Sequence, residues 1–200
     1  MVGMNNDAII RAIGDSISVK KKILEDEGLV NSLHEIADEC ISAFRQGNRV
    51  LLAGNGGSAA DAQHIAAEFV GRYAFDRPGL PAIALSTDTS MLTAIGNDYG
   101  FDRIFCRQLE ANGRKGDVFI GISTSGSSPN VIAALQRARG LDITTIGLTG
   151  QNGGEIQAHC DYCIQVPSMS TPRIQESHIM LAHIICDLVE ETLFGGQDNR

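Results

Sequence analysis

The sequence predicts an α/β protein, a three-layer sandwich in which a five-stranded parallel sheet is covered by helices on both faces. Five short apolar runs, residues 49–53, 81–85, 117–122, 144–148 and 162–166, suit strands buried on both faces. Most are separated by stretches with helical spacing, and that alternation builds a parallel sheet through right-handed crossovers. Helical periodicity also precedes the first run and follows the last. With 200 residues, 43% of them hydrophobic, the chain is long enough for one substantial core and shows no composition break. A single domain over 1–200 is expected: amino-terminal helices in 1–47, an α/β core in 48–170 and a carboxy-terminal helix in 171–195.

The first two helices are read over 5–24 and 29–46 as an amino-terminal helical hairpin, with Gly28 and Gly47 as breaks. In the second, Ile36, Cys40, Ile41 and Phe44 share a face. A helix opens near Ser58, where Ser58 and Asp61 have the spacing of a helix start. Its apolar stripe is Ala62, Ile65, Ala66 and Phe69, and another helix starts near Pro129. Between Ser86 and Gly100, Thr87-Asp88 and Asn97-Asp98 offer short polar side chains that could meet sugar hydroxyls, but Gly96-Asn97-Asp98 is good turn chemistry and on spacing a turn is the expected reading. The long last helix covers 172–194, with Thr171 as N-cap, Pro172 at the first helical position and Gly195 past the end.

The net charge of −8 argues against nucleic acid, whose binding needs clustered Lys and Arg. The first residues, MVGMNNDAIIRAIGDS, lack the pattern of a secretory leader, and no apolar run is long enough to cross a membrane. Five scattered cysteines fit a reducing compartment, so a cytoplasmic location is expected. Cys160 and Cys163 form a C-x-x-C, but no second pair completes four ligands and the motif leads into a strand. Two ordinary thiols are the expected reading.

In an open parallel sheet, ligands bind beyond the carboxyl ends of the strands. Two loops stand out there. Gly54-Asn55-Gly56-Gly57-Ser58 lets backbone approach a ligand at a helix start. It also fits G-x-G-x-x-A, a dinucleotide variant, although Asp88 lies too far along to hold a ribose well. Ser123-Thr124-Ser125-Gly126-Ser127-Ser128 places five hydroxyls before a helix, a neutral phosphate cradle that an acidic protein can use.

His64 and Glu68 stand four residues apart on one helix face, with Asp61 and Arg72 on the same stripe. They suit a shared metal or substrate as well as a solvated face. His183 lies in an apolar stretch of the last helix, with Asp187 as a possible partner, and is open to a core or a site role. His178 is read as structural. Gln175 precedes His183 by eight residues, roughly 12 Å along a regular helix.

Four segments, LLAGNGGSAADAQHIAAEFVGRY, LSTDTSMLTAIGNDYG, ISTSGSSPNVIAAL and RIQESHIMLAHIICDLVEETLF, in this order and spacing resemble the bacterial phosphoheptose isomerase family of SIS (sugar isomerase) domains. The match covers essentially all of residues 30–194. The resemblance implies a flavodoxin-like SIS fold and a homotetramer with active sites between subunits. It also implies conversion of sedoheptulose 7-phosphate to D-glycero-D-manno-heptose 7-phosphate for surface heptose synthesis. Carried over, Ser123, Thr124, Ser125 and Ser128 take the phosphate, Asn55, Gly56 and Gly57 border the sugar, and Asn97 and Asp98 contact it. Glu68 and His183 match the acid/base pair, and His64, Glu68, Gln175 and His183 match zinc ligands. Gln175 is also a substrate contact. In one departure, Pro172 stands where many members have an aspartate.

Overall fold

The computed structural model describes residues 6–196. The chain begins with two helices, α1 (Asn6–Glu25) and α2 (Glu27–Arg45), then enters the sheet at β1 (Val50–Gly54). There follow α3 (Gly57–Val70), β2 (Ala82–Ala84), α4 (Thr89–Tyr99), a 3-10 turn and α5 (Ile104–Asn112). The second half runs β3 (Val118–Ile122), α6 (Pro129–Arg139), β4 (Thr144–Gly150), a 3-10 turn (Glu155–His159), β5 (Tyr162–Val166) and α7 (Thr171–Phe194). All pairings are parallel and the strand order is β2-β1-β3-β4-β5, the flavodoxin-like order. No helix among the described residues is long and apolar enough to cross a membrane.

The two faces of the sheet separate the core into two clusters. Strand side chains alternate between faces, so Leu52, Ile120 and Ile146 point one way, and Leu51 and Phe119 the other. The first set packs under α2, α3 and α7 with Ile36, Ile65, Phe69, Leu181, Ile185 and Val189. The second packs under α5 and α6 with Phe105, Leu109, Val131 and Leu135. A side chain on Gly121 would come 2.9 Å from Val131 Cγ1, so glycine lets α6 lie close on β3.

Several local expectations change. Residue 5, where the first helix was read to start, lies outside the described residues. Gly28 does not break the chain: Asp26 alone joins α1 to α2 and caps the second helix, accepting from Leu29 N at 2.9 Å, with Gly28 inside the first turn. Gly56 is the N-cap of α3 with no side-chain cap bond, and Ser58 is buried in the first turn. The Ser58/Asp61 start signal is therefore unused. Ser170, not Thr171, is the N-cap of α7, which moves Pro172 to the second helical position. Gly96-Asn97-Asp98 is no turn but the last part of α4. Asp88 caps that helix, accepting from Met91 N at 2.8 Å, and the helix continues to Tyr99 with Gly100 as its C-cap.

His178 ties α7 to the sheet, as a structural histidine should. It is fully buried, and Nε2 lies 3.1 Å from the carbonyl oxygen of Thr149 on β4. Because that carbonyl only accepts, Nε2 carries the hydrogen and Nδ1 is left buried with no partner among the described residues. Protonation would bury a charge and an unpaired N–H. Burial pushes the imidazole down from 6.5 to about 4, against a smaller opposing effect of the Thr149 bond. Below pH 6.5 the unfolded chain takes up a proton here that the folded chain refuses. Stability should thus be full above pH 6.5 and fall by up to roughly 3 kcal/mol as pH drops toward 4. Urea unfolding across that window should show His178→Gln with a flatter pH profile than the parent.

Candidate active site

β1 ends at Gly54, where an added Cβ would sit 2.7 Å from the Ser58 carbonyl oxygen. The chain turns straight into α3 through Gly56 at φ 55, a left-handed value suited to glycine. The Asn55 amide is held by Asn130 at the start of α6 through two reciprocal bonds of 2.9 Å each. Asn130 is buried, and it ties the glycine loop to the serine loop.

The serine loop turns from β3 into α6, with Ser128 as N-cap and Pro129 first in the helix. Ser123 Oγ lies 2.9 Å from Ser128 Oγ and 3.4 Å from Ser125 Oγ, so three hydroxyls cluster. Gly126 (φ 68) packs against the Gly153 carbonyl, and its own carbonyl accepts from Ile156 N at 2.9 Å. Thr124 and Ser125 open onto a cavity of about 230 Å³, bordered also by Gly150, Gln151, Ser168 and Ile174. The cradle consists of hydroxyls and helix-start amides, with no lysine or arginine on the cavity wall.

Helices α3 and α7 bring together the second cluster. His64 Nε2 lies 3.0 Å from Glu68 Oε1. The His183 ring stands edge-on to the His64 ring, with centroids 5.0 Å apart, and Tyr73 closes its other side at 5.6 Å. Ligand atoms of His64, Glu68 and His183 all lie within 4.8 Å of one another. Asp187 is exposed and makes no hydrogen bond to His183 among the described residues, so it does not orient the ring as the spacing suggested. Asp61, one turn before His64, has a buried oxygen without a partner among the described residues. Burial raises its carboxyl, and His64 offsets part of that shift.

Two imidazole nitrogens and a carboxylate oxygen this close form a donor set that fits zinc, with room for a fourth ligand. Gln175 is not part of the cluster within this chain. Its amide lies against Gly57, two helical turns before His64, while the His64 ring turns the other way, toward Glu68. Asn97 and Asp98 lie exposed on α4, bonded to each other at 2.8 Å. The C-x-x-C cysteines are free thiols, and Cys160 Sγ donates to the Ile156 carbonyl at 3.1 Å.

Three residues beside the cluster escaped sequence reading: Tyr73, Arg77 and Glu190. The available signal was weak. Glu190 falls seven residues after His183, on the same face of a helix. Chemically, the cluster offers a carboxylate and an imidazole that can pass protons between adjacent atoms of one bound molecule.

Comparison with known proteins gives a family. The SIS domain model matches residues 15–150. A phosphoheptose isomerase of Aneurinibacillus thermoaerophilus is 60% identical over 189 residues, which are 94% of this chain and 96% of that protein. Phosphoheptose isomerase 2 of Campylobacter jejuni is 59% identical over 190 residues, covering 95% and 94% of the two chains. The solved phosphoheptose isomerase of Neisseria gonorrhoeae superposes with a TM-score of 0.87 at 44% identity, over 93% of this chain and 98% of that one. The chain is an isomerase that belongs to the SIS domain family and, within it, to the phosphoheptose isomerases.

Proposed function

We propose that the chain converts sedoheptulose 7-phosphate to D-glycero-D-manno-heptose 7-phosphate in the cytoplasm, supplying heptose for surface glycans. The observation that carries the mechanism is the convergence of Glu68 and His183, 115 positions apart in the chain, at a point also reached by His64. Ketose-to-aldose conversion moves one proton from C1 to C2 and another between their oxygens, through an enediolate. Glu68 Oε1 is turned to His64, which leaves Oε2 to take the C1 proton and return it to C2. His183 moves the proton between O1 and O2. Ser123, Thr124, Ser125 and Ser128 grip the phosphate, Asn55, Gly56 and Gly57 border the sugar, and Asn97, Asp98 and Gln175 meet its polar groups. That grip serves orientation. Zinc on His64, Glu68 and His183, with Gln175 of a neighbouring copy as fourth ligand, would supply a Lewis acid for the substrate oxygens.

One complete site takes more than one copy of the chain in this reading. Gly57, beside Gln175, and Glu68 lie roughly 16 Å apart along α3. In this reading the serine loop of one copy and the His/Glu cluster of another hold the two ends of the substrate. A homotetramer with interfacial sites answers this, and an exposed apolar face supports it. Ile9, Ile10, Ile13 and Ile17 of α1 are each half exposed or more. They continue into a groove of about 630 Å³ bordered by Leu24, Val30, Met180 and Ile184. The exposed pair Asn97 and Asp98 would then face a neighbour's substrate.

Product formation followed by NMR with sedoheptulose 7-phosphate tests the reaction. Glu68→Gln should lower kcat by about 10²- to 10⁴-fold, and near-parental turnover in that variant would sink the assignment. For the assembly, Ile10→Lys with Ile13→Lys should dissociate the tetramer in sedimentation experiments and abolish turnover. A fully active monomer would contradict the shared site.

A further inference from the structure

We propose that Arg77 and Glu190 form a positioning clamp that sets the axial register of α3 against α7 and thereby the spacing of Glu68 and His183. The proposal rests on the reading of those two residues as the acid/base pair.

Arg77 lies in the link between α3 and β2, and its side chain is only 1% exposed, as is that of Glu190. Its guanidinium reaches back under the end of α3. Nη2 donates to the carbonyl of Glu68 at 2.9 Å, and Nη1 donates to those of Phe69 at 2.6 Å, Gly71 at 3.2 Å and Pro78 at 3.1 Å. Carbonyls in the last turn of a helix lack intrahelical partners, and a cation there also meets the negative end of the dipole. Arg77 therefore caps the helix that carries Glu68, bonding to the backbone of that very residue.

Glu190 on α7 completes the clamp. One carboxylate oxygen accepts from Tyr73 N at 2.7 Å and the other from Ala74 N at 3.0 Å and Phe75 N at 3.1 Å. The same group lies 3.5 Å from Arg77 Nη2, while the Phe194 ring covers the guanidinium at 5.9 Å. Burial alone would raise the Glu190 carboxyl. The N–H groups of Phe75, Tyr73 and Ala74, with the charge of Arg77, outweigh it and hold the group below its usual range.

Three consequences converge on the site. Glu190 follows His183 by two turns on the same face of α7, so a shift at one end of that face is transmitted to the other. The end of α3 cannot slide along α7 without breaking buried charge-assisted bonds. The Tyr73 backbone, pinned by Glu190, places the ring that walls His183. Apolar pairs of similar volume often match a buried ion pair in stability. No apolar pair, however, can bond the carbonyl at Glu68 and the amide at Tyr73 together. A misplacement of about 1 Å at reacting groups costs on the order of 100-fold in rate.

Arg77→Lys keeps the charge but loses the planar fork, and Glu190→Gln keeps the shape but loses the charge. Each should lower kcat on sedoheptulose 7-phosphate by about 10- to 100-fold with KM within about threefold of the parent. Each should also weaken Zn²⁺ binding, read by competition with a chromophoric chelator, by about 10-fold or more. The double variant should be little worse than the poorer single, because the two act as one unit. Folded variants with a lower Tm but parental kcat and parental zinc affinity would overturn the clamp and leave a purely structural pair. Should either single fail to fold, Tyr73→Ala leaves the ion pair intact and should show the same losses. Tyr73→Phe, which retains the ring, should recover most of them; parental behaviour in Tyr73→Ala would again overturn the proposal. Glu68→Gln run in parallel separates the two ideas: if it keeps turnover, the acid/base reading fails, and the zinc affinities alone then decide the clamp.

Discussion

The packing of α3 against α7 over one face of the sheet is the constraint on which the chemistry depends. Ile65, Ala66 and Phe69 of α3 and Ala182, Ile185 and Val189 of α7 share one buried cluster. With the apolar stripes facing inward, the neighbouring stripes of the two helices meet at the rim. His64 and Glu68 lie on one and His183 on the other. Apolar burial thus brings the helices together, and polar groups decide how far along each other they sit. Hydrophobic contact is non-directional and tolerates sliding, whereas a guanidinium on four carbonyls does not.

The other half of the site comes from sheet topology. Parallel strands end at one edge, so the glycine loop after β1 and the serine loop after β3, neighbours in the sheet, are side by side. The Asn55–Asn130 pair makes them one unit. In the reading proposed above, an acidic chain would hold an anion there through dipoles and hydroxyls, without a basic surface patch. Within one chain, the glycine loop and the His/Glu cluster stand at opposite ends of α3. The exposed apolar face of α1 and an α4 with no buried residue are surfaces that the proposed assembly would cover.

Much of the site was legible because its signals are local. A run of glycines between an apolar strand and a helix, or five hydroxyls in six positions, has few uses other than a ligand loop. Short-range rules failed where two of them competed. Gly96-Asn97-Asp98 has the composition of a turn, but the Asp88 cap starts a helix that runs through it. Ser58 looked like a cap, yet a glycine in a left-handed conformation takes that position because the strand must turn at once into the helix.

The sequence by itself determined the layered fold, the strands and the position of the two ligand-loop candidates, since these follow from residue periodicity and turn chemistry over a few positions. It also marked His64 and Glu68 as a pair, because four residues is the repeat of a helix face. Residue patterns left the role of His183 open and only the resemblance put it with them; the tertiary structure brings it there, keeps Gln175 beside Gly57 and joins Arg77 to Glu190 beneath the site. Those contacts link residues 110 or more positions apart, and no local pattern encodes which helix faces will meet across a core.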